Sequence, residues 1–127
     1  MIGRRAAAEA VGTYFIVFIG AGAIMVDDHQ SGAIGPLGIA LAFGLVVMAM
    51  VQATRHVSGA HLNPAVTVAL WAGGRIASRH VPAYVAAQLA GATAASVSLA
   101  WVRDALGPRS LGVTTSSIGT AGGLGVE

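Results

Sequence analysis

Three apolar runs, each long enough as a helix to cross a bilayer, constrain this chain more than any other feature. Ala6 to Val26 carries a single charged residue, Glu9, and as a helix it would reach about 31 Å at 1.5 Å per residue. That matches a hydrocarbon core about 30 Å thick. Ile34 to Thr54 has no charge at all, and Gly35-Pro36 stands at its start, where a proline costs no helical hydrogen bond. Val81 to Val102 is likewise uncharged, dense in small residues such as Ala87, Gly91 and Ala95 that permit close helix packing, and holds one strongly polar interior residue, Gln88. Composition agrees: 55% of the 127 residues are hydrophobic and 9% charged, against about 25% charged in a soluble domain. Lipid is the solvent this pattern expects. Arg4-Arg5 ahead of the first run resembles a signal-peptide n-region, with Ala21-Gly22-Ala23 as a loose cleavage site. The run, however, outlasts the usual h-region of about 7–15 residues.

A fourth apolar piece, Leu62 to Gly73, is too short to span. Its local signals define a helix over 64–72: Asn63 is a strong N-cap type, Pro64 suits the first helical position, and Gly73-Gly74 supplies a stop. Such a helix is about 13 Å long, less than half the membrane. Being this apolar, it must lie in the interface or enter the bilayer as a re-entrant half-helix. The fold class expected is therefore an all-α membrane protein of three transmembrane helices and one re-entrant half-helix over residues 1–106. Asp27 to Gly32 is expected as a loop, and 107–127, rich in Gly, Ser and Thr, as a polar loop or tail.

All seven basic residues are arginine. Arg4 and Arg5 precede the first span and Arg55, Arg75 and Arg79 lie between the second and third, while only Arg103 and Arg109 follow. This asymmetry places the N-terminus and the second connection in the cytoplasm, with the acidic Asp27-Asp28 connection and the tail outside. The net charge of +2 is too small and dispersed for nucleic-acid binding. With no cysteine there is no thiol chemistry. His56, His61 and His80 lack ligand spacing for a metal. Ser58 near His61 has neither an acid partner nor a nucleophile elbow, so an enzyme is the least favoured class and no cofactor is called for.

The segment Ser58-Gly59-Ala60-His61-Leu62-Asn63-Pro64-Ala65-Val66 resembles the first NPA box of the aquaporin, or major intrinsic protein, family. The resemblance runs over about the first 105 residues. It takes in Ala8-Glu9 with Gly12-Thr13, Leu41-Ala42-Phe43-Gly44, Leu70-Trp71-Ala72-Gly73-Gly74-Arg75, and Tyr84 with Ala87-Gln88. The pattern looks most like bacterial water channels, which implies a bacterial plasma membrane. The residues alone support a related reading. An asparagine at the buried end of a half-helix can cap orphan N–H groups and still donate its amide NH₂ to a passing water. The helix N-terminus, worth about half a positive charge, repels cations. The backbone of Gly59, Ala60 and His61 can offer carbonyls to a pore.

By resemblance, Asn63, Pro64 and Ala65 form the pore-centre box, with Asn63 one of two asparagines that orient water and break a proton wire. Phe43 matches the aromatic position of the selectivity filter, and phenylalanine there resembles water-selective members. Read on its own, such a phenylalanine is more often a lipid-facing or packing aromatic than part of a filter. Glu9 matches a buried glutamate whose hydrogen bonds hold the re-entrant loop, whereas as an isolated acid near a span's start it is free to snorkel to the interface. The expected function is passive transport of water, with a glycerol or small neutral solute facilitator as the alternative and a non-conducting scaffold or split-channel subunit as the other class. The family pore needs two inverted repeats, and one is present here, so a partial chain or a second half-channel as partner is expected. The family implies a homotetramer in lipid.

Overall fold

The computed structural model describes residues 1–106, and the only regular secondary structure within them is helical. Helix α1 runs Ile2–His29, α2 Gly35–Ser58, α3 Pro64–Ala72 and α4 Val81–Leu106, with a single 3₁₀ turn, Ser78–His80, ahead of α4. Three of these helices, the last counted from the 3₁₀ turn, are long and apolar enough to cross a membrane. The residues from 107 on, including Arg109 and the expected polar tail, lie outside the described ones.

The long helices extend past the apolar runs. Asp27, Asp28 and His29, expected in a loop, continue α1. The turn begins only at Gln30, whose N–H still donates to the Val26 carbonyl at 2.9 Å. The reason is that an apolar run marks the part of a helix that fits in hydrocarbon, while i→i−4 hydrogen bonding continues until the backbone leaves helical dihedrals. It leaves them at Ser31 (φ 55°) and Gly32 (φ 87°). Helical placement gives Asp27 a use that a loop position would not. Its Oδ1 accepts from the N–H groups of Ile34 (2.8 Å) and Gly35 (2.7 Å), placing a carboxylate on the otherwise uncapped start of α2.

Helix α1 packs against both α2 and α4, and α3 lies against α4. The α1–α4 contact is close because Gly91 faces Ala10: a Cβ on Gly91 would stand 2.2 Å from the Ala10 carbonyl oxygen. Backbones that approach this closely gain dispersion contacts that lipid cannot match, which is how helices associate where water provides no hydrophobic drive. Ala95 and Leu99 continue the buried seam along α4. Helix α2 is different. It leaves Leu37, Leu41, Leu45 and Met48 more than half exposed, a face suited to lipid or to another apolar surface.

Candidate functional site

The site is built on the five residues between α2 and α3. Helix α2 ends at Gly59, whose φ of 94° lets its N–H return to the Arg55 carbonyl at 3.1 Å. Ala60 (φ 54°) and Leu62 (φ 53°) also adopt left-handed backbone, uncommon for residues with a Cβ. In this stretch the N–H groups of His61 and Leu62 both turn toward one carboxylate. Such a conformation persists only where the surroundings over-determine it.

Glu9 provides that surrounding. Its side chain is fully buried and accepts four hydrogen bonds. Oε1 takes the Ser58 hydroxyl (2.6 Å) and the His61 N–H (3.0 Å), and Oε2 takes the Leu62 N–H (2.6 Å) and the Gln88 amide (2.8 Å). A carboxylate offers about four lone-pair sites, so Glu9 is saturated by donors from α2, the loop and α4. It does not snorkel, because four donors would be left unpaired inside the bundle if it did.

A second layer locks the first. Tyr84 donates its hydroxyl to the Ser58 carbonyl (2.6 Å), and Thr13 donates to the Leu62 carbonyl (3.1 Å). Gln88 donates to Thr67 Oγ1 (2.9 Å) as well as to Glu9, while its own Oε1 is buried without a partner among the described residues. Thr67 Oγ1 in turn lies 3.1 Å from both the Asn63 carbonyl and His61 Nδ1. Since the hydroxyl has one proton and gives it to the Asn63 carbonyl, His61 Nδ1 takes the protonated tautomer and donates. The His61 ring also lies against that of Tyr84, centroids 4.8 Å apart. The sequence alone assigns no role to Thr13, Thr67, Tyr84 or Gln88, and Ser58, expected to lack an acid partner, has one in Glu9, to which its hydroxyl donates. The signal they left was polarity within apolar helices, clearest at Gln88.

On the opposite side of the loop is an open groove. Its walls are Ile16 of α1, Val47 and Val51 of α2 and Val66 of α3, and its floor is Ala60, His61, Leu62 and Asn63, enclosing about 230 Å³. Asn63 is exposed, with φ −155° and ψ 133°, and its Oδ1 accepts the Ala65 N–H at 2.8 Å. That bond fixes the amide so that its NH₂ points away from the helix, and among the described residues the NH₂ donates to nothing. Pro64 opens α3 without an N–H to leave unpaired. Ala60, His61 and Asn63 thus meet in the groove, joined by Leu62, which is not among the residues expected to line a pore. Gly59 stands at the end of α2 and does not line it. Phe43 is not in the lining either. It lies one helical turn from Val47, with its ring against Gly20 of α1, where a Cβ would come within 2.1 Å of Cε1.

A buried acid tying a left-handed loop to three helices, with an N-capping asparagine left open to a groove, can be compared with known proteins. The family model described as major intrinsic protein matches residues 2–127. The chain belongs to this family. Among its relatives, aquaporin NIP1-1 of Zea mays is 49% identical over 96 residues, which are 76% of this chain and 34% of the relative. Aquaporin NIP1-4 of Oryza sativa subsp. japonica is 54% identical over 92 residues, 72% of this chain and 33% of the relative. Aquaporin NIP1-2 of Arabidopsis thaliana is 44% identical over 96 residues, covering 76% and 33%. The chain therefore spans about a third of the length of the curated relatives it matches. As a major intrinsic protein with three helices of spanning length, it is an integral membrane protein of a transporter family and not an enzyme. These relatives are plant proteins, and they lend no support to the expectation of a bacterial membrane.

Proposed function

We propose that this chain forms one half of a membrane channel passing water or another small neutral solute, with the groove above the Asn63 end of α3 as its share of the pore. The observation that carries the reading is the division of labour around residues 58–63. Every inward donor of the loop is consumed by Glu9 and its neighbours, while the Asn63 NH₂ is oriented and left available. A solute entering single file loses hydration, and a fixed donor with apolar walls replaces part of it while holding the molecule in one orientation. The half-positive N-terminus of α3 beside the same spot disfavours cations. Among the described residues no Asp, Glu or Arg lines the groove, which suits a neutral permeant. Phe43 lies one helical turn along α2 from the groove wall with its ring on Gly20, so any filter role it has is exerted beyond the groove itself.

In this reading α3 is re-entrant, with its asparagine end at membrane depth and its Gly73-Gly74 end at the surface. The groove is one-sided, and a second repeat bearing a facing half-helix closes it. Tetramer assembly covers the exposed apolar face of α2. The N-terminus and the connection carrying Arg75 and Arg79 are cytoplasmic. Stopped-flow swelling of proteoliposomes, with the chain alone and co-reconstituted with a second repeat, tests conduction. Permeability above empty vesicles is expected for the pair, and its absence in both preparations overturns the channel reading. Because the chain has no native cysteine, single-cysteine labelling tests orientation cleanly: position 77 should react with an impermeant maleimide from the cytoplasmic side, and position 63 should resist bulky reagents.

A further inference from the structure

A second concavity lies away from the groove, between the start of α1 and the end of α2. Arg4 and Arg5 of α1 and His56 and Val57 of α2 line it together with Met1, around about 180 Å³. That is smaller than the roughly 300–1,000 Å³ of pockets for drug-sized organic ligands, and it suits a small headgroup.

Its charge is unbalanced. Neither Arg4 nor Arg5 forms an ion pair with a carboxylate among the described residues, where the ion pair is that of Arg103 with Asp104 at the far end of α4. Glu9, the acid closest in sequence, is buried and has all its acceptor sites filled. Arg55 adds a further cation beside His56. Helix energetics does not account for the placement of Arg4 and Arg5, because cations in a first turn oppose the macrodipole, whereas Arg55 and His56 at the end of α2 agree with it. Arg4, Arg5 and His56 line this one small cavity, Arg5 also reaching toward the Tyr84 hydroxyl, and guanidinium and imidazole N–H groups are the donors that bind phosphate oxygens. In the topology proposed above, on which this inference rests, the start of α1 and the end of α2 lie at the membrane surface, the level of lipid headgroups.

We propose that the Arg4–Arg5–His56 cavity binds the phosphate group of an anionic phospholipid. Bound there, the phosphate bridges α1 to α2 through ionic hydrogen bonds, and its acyl chains extend along the apolar helix faces.

The test is native mass spectrometry of the full chain titrated in detergent with dioleoyl phosphatidylglycerol or dioleoyl phosphatidylcholine, each with and without excess inorganic phosphate. The glycerol lipid should form a one-to-one adduct at lower concentration than the choline lipid. Arg4→Gln with Arg5→Gln should reduce that preference by about fivefold for each arginine removed, and His56→Gln by less. Arg75→Gln with Arg79→Gln, at the same end but outside the cavity, should leave it intact. Circular dichroism confirms that each variant keeps its helices, and Arg4→Lys with Arg5→Lys, which retains charge, should recover most of the binding. Equal loss from the Arg75 and Arg79 pair, or no loss from the Arg4 and Arg5 pair, overturns the site. Displacement of the adduct by inorganic phosphate assigns the cavity to a soluble phosphate and overturns the lipid.

Discussion

The two sides of the loop between α2 and α3 obey opposite rules. On the inner side, facing α1 and α4, nearly every polar atom has a partner: Ser58, His61 and Leu62 converge on Glu9, and Tyr84, Thr13, Thr67 and Gln88 bind what remains. On the outer side Asn63 is exposed, and among the described residues its NH₂ has nothing to donate to. The difference shows how a short irregular segment can be both rigid and available. In the proposed re-entrant placement the loop loses the water that would satisfy its backbone, so its inward groups must be saturated before its outward groups could serve a solute. Inner substitutions should therefore act on stability, and outer ones on transport.

Glu9→Leu would break the comparison most severely. It strands the His61 and Leu62 N–H groups, the Ser58 hydroxyl and the Gln88 amide, each unsatisfied group costing about 1–3 kcal/mol. The expected outcome is loss of a cooperative melting transition in detergent; a Tm within a few degrees of the parent would show that the inner network is dispensable. Gln88→Leu comes next, removing donors to Glu9 and Thr67 across the α4 contact, for a loss of about 1–3 kcal/mol measured by thermal unfolding. The buried Oε1 of Gln88 has no partner among the described residues to lose, so the cost should stay below that of Glu9→Leu.

Asn63→Ala sharpens the distinction by separating the two readouts. Its cap on α3 is worth about 1 kcal/mol, so Tm should fall modestly, while permeability of the reconstituted two-repeat channel should fall much further. Equal proportional losses would mean that Asn63 is only a cap. Val51→Ala, on the groove wall and half-buried, should have the smallest effect on stability, about 1 kcal/mol or less. It should instead raise the passage of a slightly larger neutral solute relative to water in the same assay.

Much of the fold was legible because its determinants are local. Asn63, Pro64 and Gly73-Gly74 delimit α3 by capping chemistry that acts within one helical turn, and the apolar runs register as spans because bilayer thickness translates directly into residue count. Helix ends were less legible, as Asp27 to His29 illustrate: polarity says where lipid stops, not where hydrogen bonding does. At the site, the capping role of Asn63 could be read from its neighbours. The partners of Glu9 could not, since its bonds reach Ser58, His61, Leu62 and Gln88, separations of 49 to 79 residues.

The sequence by itself determined that this chain lives in lipid, that it has three spans and one short capped helix, and that a polar motif sits at the start of that helix. These are properties of composition, length and nearest neighbours. Only the tertiary structure decided that Glu9 faces inward, that Gln88 and Thr67 complete its network, that Phe43 rests on Gly20 and that Gly59 stays out of the groove. A helix presents each side chain at a rotation that means nothing until another helix is packed beside it. Whether a polar group is a liability or a fastener depends on which donor or acceptor that packing brings within 3 Å.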